Sequence, residues 1–119
     1  MMDQPSIREL VDAVREFLEK RAMPELKGHT AFHARVAANA LGIVSRQLEH
    51  GDTMAREELA RLAALLKHDG PLDALNRELC GAIRSGKLGL DDPALRDHLE
   101  RTVRDKVAID QPNYAGAKR

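Results

Sequence analysis

From Ile7 to Val107 apolar side chains recur at intervals of three and four, and Gly, Pro or Asp falls where the pattern breaks. Residues three and four apart share one face of an α-helix, whereas a half-buried strand needs alternation by two. A chain patterned this way must bury several helical stripes against one another. Composition points the same way: Ala (17) and Leu (16) supply most of the hydrophobic residues, while Val, Ile and Thr together number only 13. Helix formers therefore far outnumber the β-branched residues that strands favour. A chain of 119 residues can fold around one core without disulfide or metal. The expectation is one all-α domain over residues 1–119, a compact bundle of about five short helices with an irregular tail from about residue 112.

The first predicted helix opens at Ser6, with Glu9 three positions on in the capping-box pattern, and ends near Arg21 ahead of Pro24. Its core stripe is Ile7, Leu10, Val11, Val14, Phe17 and Leu18. The second is expected from Thr30, as N-cap, to about His50, with Gly51 as a left-handed stop. Phe32, Val36, Ala37, Ala40, Leu41, Ile43, Val44 and Leu48 spread over about half of its circumference, which marks it as the central helix. A third helix, from Asp52 or Thr53 to about His68, should bury Leu59, Leu62, Ala63 and Leu66. A fourth, over 72–85, should bury Leu72, Leu75, Leu79 and Ile83, with Gly86 past its end. Leu88 and Leu90 in the next connection are placed to tuck under the bundle. The fifth opens on Asp92 and Pro93, buries Leu95, Leu99, Val103 and Val107, and stops at Pro112.

Charge removes several function classes. The chain carries 19 Lys+Arg and 19 Asp+Glu, divided evenly along its length, and its only aromatics are Phe17, Phe32 and Tyr114. Neither a basic track for a phosphate backbone nor a stacking platform for bases can be assembled, so nucleic acid is not an expected partner. No apolar run is long enough to span a bilayer and the N-terminus does not read as a signal peptide, so the expectation is a cytoplasmic protein off the membrane. A single cysteine, Cys80, fits a reducing compartment.

No catalytic motif stands out. His29 and His33 have the i, i+4 spacing of a metal pair, but no third ligand is fixed, and a hydrogen-bonded, semi-buried His33 is the plainer reading. His68 at a helix end suits carbonyl capping, and Cys80 in mid-helix suits packing. Gly86-Lys87-Leu88-Gly89 lacks the spacing of a phosphate loop. One surface is distinctive. Ala31, Ala34, Ala38, Gly42 and Ser45 line one side of the second predicted helix, flanked by Arg35 and Arg46. Small residues let another backbone approach, either a partner's or that of a neighbouring helix of the same chain.

The segments Phe32-His33-Ala34-Arg35-Val36-Ala37-Ala38-Asn39-Ala40-Leu41 and Ala108-Ile109-Asp110-Gln111-Pro112-Asn113-Tyr114 resemble a bacterial family of small helical proteins of unknown function. Members are typically encoded beside an aminoglycoside-phosphotransferase-like kinase and an acyl-CoA dehydrogenase. The chain is similar to the small subunit that accompanies the 4-hydroxyacyl-CoA kinase of levulinate breakdown. The resemblance implies a noncatalytic accessory subunit with no cofactor of its own, the ATP and Mg²⁺ sitting on the kinase. Phe32, His33, Arg35, Asn39, Asp110, Pro112 and Tyr114 match the motifs without an assigned role. Two other readings stand beside it: a small-ligand or metal-binding bundle using His29, His33, Arg35 and Asn39, or a free-standing homo-oligomer.

Overall fold

A computed structural model describes residues 4–114. Residues 115–119 of the expected tail lie outside the described residues. The described chain is all-α, with four α-helices: α1 (Ile7–Phe17), α2 (Gly28–Leu66), α3 (Leu72–Arg84) and α4 (Pro93–Asp110). A π-helical turn, Leu18–Ala22, and a 3₁₀ turn, Met23–Glu25, follow α1. Four helices replace the expected five because the second and third are one: α2 runs for 39 residues, straight through Gly51. Gly51 does not take the positive φ that a left-handed stop requires; Gly28, Lys67 and Gly86 do.

Two helix-start signals read from the sequence appear in the structure. The Ser6 hydroxyl accepts from the Glu9 amide at 3.1 Å, and the Glu9 carboxylate accepts from the Ser6 amide at 3.0 Å. That second bond, followed by the Ser6 hydroxyl, holds the Glu9 carboxyl below its ordinary range. Asp92 accepts from the amides of Ala94 and Leu95, and Pro93 occupies the first turn of α4. The predicted N-cap Thr30 is instead inside α2, whose first residue is Gly28 with φ 62°. Glycine reaches that left-handed value without a Cβ clash.

The chain divides into two compact units, residues 1–51 and 52–119. The second unit holds a leucine core: Leu62, Leu75, Leu79 and Leu95 are buried, with Leu66, Leu72, Leu88 and Leu99 packed against them. Leu88 tucks in as expected; Leu90 is exposed. Leu59, Ile83 and Val103, expected in the core, also stay at the surface.

The first unit inverts the expected arrangement. α1 buries no residue, and four of its stripe residues, Ile7, Leu10, Val14 and Phe17, are exposed. On α2, Phe32, Val36, Val44 and Leu48 are exposed while Ala34, Ala38 and Ser45 are buried. In this unit the small side chains of α2 face inward and the larger apolar ones face outward.

Candidate functional site

The expected docking strip is interior to the first unit. Ala34, Ala38, Gly42 and Ser45 are buried, Ala38 being only 2% exposed; Ala31 and Arg46 are half-buried, and of the seven residues of the strip and its flanks only Arg35 is exposed. Side chains of α1 reach the strip. Arg8 Nε donates to Ser45 Oγ at 3.3 Å, and an Arg8 Nη lies 2.8 Å from the Glu49 carboxylate. Arg15 lies close to Gly42, 3.4 Å from where a Cβ would stand, and Arg46 lies 3.2 Å from that point. As α1 advances from residue 8 to 15 its partners on α2 retreat from 49 and 45 to 42, so the two helices run antiparallel. Asp12 steadies both arginines from within α1, at 3.7 Å from Arg8 and 3.6 Å from Arg15. While this unit is intact, the surface it offers is not the small-residue strip but the apolar side chains turned outward.

Phe32, His33 and Val36 of the first family-like segment stand on that outward surface, while its Ala34 and Ala38 belong to the buried strip. The ring of Phe32, 56% exposed, meets that of His33 edge-on, with centroids 5.6 Å apart and planes 71° to one another. His33 is exposed, contrary to the semi-buried position expected of it, because the arc it shares with Phe32 and Val36 is not the interior one. His29 and Asn39 are exposed as well. Within α2, His29 and His33 are one turn apart, but among the described residues no group of three His, Cys, Asp or Glu side chains could hold a metal. Asp110, Pro112 and Tyr114 of the second segment are exposed at and beyond the end of α4. Lys106, Val107, Asp110, Gln111 and Tyr114 border a shallow cleft there of about 470 Å³.

Sequence reasoning missed the polar centre of the second unit. His98 is 2% exposed. Its Nδ1 accepts from Arg61 Nε at 3.0 Å, and a second Arg61 nitrogen donates to Thr102 at 3.3 Å. Nδ1 is therefore the unprotonated nitrogen. Burial first, and then the Arg61 charge, hold the imidazole below its ordinary pKa. A signal was present: Leu95, His98, Leu99 and Thr102 follow the i, i+3, i+4, i+7 rule. Arg61, Ala64, Leu65, Ala94, Asp97 and His98 line a cleft of about 190 Å³.

His68 is tuned the other way. Its Nε2 lies 2.8 and 2.9 Å from the two Glu78 carboxylate oxygens, and its Nδ1 lies 3.1 Å from the Asp69 carbonyl. Acceptors at both nitrogens favour the imidazolium, so the pKa is raised, mainly by Glu78. His68 thus ties the end of α2 to α3 where capping of the helix carbonyls was expected. Cys80, expected to pack, is exposed.

No described helix is long and apolar enough to cross a membrane. Neither the curated proteins nor the solved structures provide a match to the chain. A family model does match, over residues 24–114, and both family-like segments and all of α2, α3 and α4 fall inside it. The chain belongs to the family described as a domain of unknown function, DUF6285.

Proposed function

We propose that this chain is a noncatalytic accessory subunit that binds an aminoglycoside-phosphotransferase-like kinase of hydroxyacyl-CoA catabolism in the cytoplasm. The kinase supplies the ATP and Mg²⁺ site. The kinase itself comes from the resemblance of the two segments, Phe32–Leu41 and Ala108–Tyr114. One observation carries the binding role: α1 exposes Ile7, Leu10, Val14 and Phe17, spaced i, i+3, i+7 and i+10. That spacing is how an amphipathic helix presents anchors to a groove on a partner. Arg35, the exposed member of the strip on α2, is available to a polar rim.

Co-expression with the kinase encoded beside it, followed by size exclusion, tests the reading. The two proteins are expected to elute together. Val14→Glu, at a position 51% exposed on a helix that buries no residue of its own, should separate them while leaving the helix content of the chain unchanged. Separate elution of the wild-type proteins at micromolar concentration overturns the proposal.

A further inference from the structure

In the first unit α2 is apolar on two opposite sides, and α1 accounts for only one of them. On the second side Phe32, Val36, Ala40, Val44 and Leu48 follow one another at intervals of four, so they form a single continuous ridge. The four large members are between 43% and 56% exposed.

We infer that this ridge pairs with the same ridge of a second copy of the chain, in an antiparallel two-fold contact centred on Ala40. Charge is the first argument. With Phe32 at zero on a helical wheel, the ridge runs from about 0° to 160°, and Arg35, Arg46 and Glu49 all fall between about 260° and 320°. No formally charged side chain of residues 29–50 stands on the ridge side, where the polar residues are His29, Thr30, His33, Gln47 and His50. A two-fold contact sets like against like, so a surface without formal charge meets its own copy without repulsion. A partner selected by charge would need a complementary charge here, and the ridge offers none.

Shape is the second argument. Ala40 stands at the midpoint, with Val36 and Val44 four residues to either side and Phe32 and Leu48 eight residues away. Antiparallel pairing lays Val36 of one copy near Val44 of the other and Phe32 near Leu48. Ridges of this i±4 kind interlock at a crossing angle of about −50°, and a small residue at the crossing lets the axes approach. Area is the third. Four large side chains about half exposed offer roughly 400 Å² of apolar surface, which is most of the non-polar two-thirds of the ~800 Å² that each partner buries in a stable homodimer. The remainder is supplied by the polar residues flanking the ridge.

The inference is independent of the kinase reading, which rests on α1, and its test uses different positions. In a Cys80→Ser background of the full chain, Ala40→Cys should oxidise to a covalent dimer, because the two-fold axis brings the pair within disulfide reach. Arg35→Cys, on the other side of the helix, should not. By light scattering or sedimentation the wild-type chain should have twice the chain mass at micromolar concentration. Val44→Glu should halve it without loss of helix content. A wild-type chain that stays monomeric overturns the inference, whether its ridge is covered by another part of the same chain or only by the kinase. So does a dimer that ignores Val44→Glu and fails to link through position 40.

Discussion

At the scale of the residue, the two tuned histidines of the second unit act in opposite directions as pH changes. His98 is held neutral by burial and by Arg61. Its contribution to stability is complete above the ordinary histidine value of about 6.5 and declines as pH falls toward its lowered folded value. Glu78 favours the charged form of His68, so its contribution is complete below about 6.5 and is lost as pH rises through its raised folded value. Burial weights the first more heavily, since the His68 pair is exposed and screened by solvent. His98→Asn keeps an acceptor for Arg61 and cannot titrate. The fall in melting temperature between pH 7.5 and 5.5 should therefore be smaller in His98→Asn than in wild type. An equal fall in both would assign the acid sensitivity to other groups. His98 is readable from the spacing of Leu95, Leu99 and Thr102, although its neighbours Arg96 and Asp97 are charged. Adjacency along the chain says little about a helix face, and spacing says much.

At the scale of the element, signals that act within one turn were legible and those that depend on a second helix were not. Ser6 with Glu9 and Asp92 with Pro93 satisfy amides only a few residues away, so the sequence contains both partners of each interaction. Gly51 contains no such information. Glycine permits a left-handed stop without requiring one, and here the backbone continues as α-helix. The difference has a mutational signature. In a continuing helix Gly51→Ala should stabilise by about 0.5–1 kcal/mol, whereas at a left-handed stop alanine would destabilise. A new Cβ would meet the end of the Gln47 side chain, which is flexible and can swing aside. Thermal melts followed by circular dichroism distinguish the two signs. The orientation of α2 was the other illegible feature. Its apolar arc was wide enough to suggest a central helix, but which half of the circumference turns inward depends on a second helix, whose Arg8 and Arg15 reach the side of Ser45 and Gly42.

At the scale of the whole molecule, the two units are stabilised in different ways. The second has a core of buried leucines, Leu62 being fully enclosed. In the first, the buried residues among those described are small: Ala34, Ala38, Gly42, Ser45 and Gly51. Residues of this size contribute little transfer free energy, so the first unit gains from whatever covers its outward apolar side chains. Hydrogen exchange should accordingly be slowest at the amides around Leu62, Leu75, Leu79 and Leu95 and faster throughout α1. Dilution should accelerate exchange in residues 7–48 and leave the leucine core unaffected; uniform protection at all concentrations would show that the first unit is self-sufficient. The absence of formal charge along the Phe32–Leu48 ridge has a thermodynamic corollary. Salt, which weakens contacts between exposed charges, has little to act on there, whereas hydrophobic association loses strength on cooling. The ridge contact is therefore cold-labile and salt-tolerant, and a purification carried out entirely on ice would select against it.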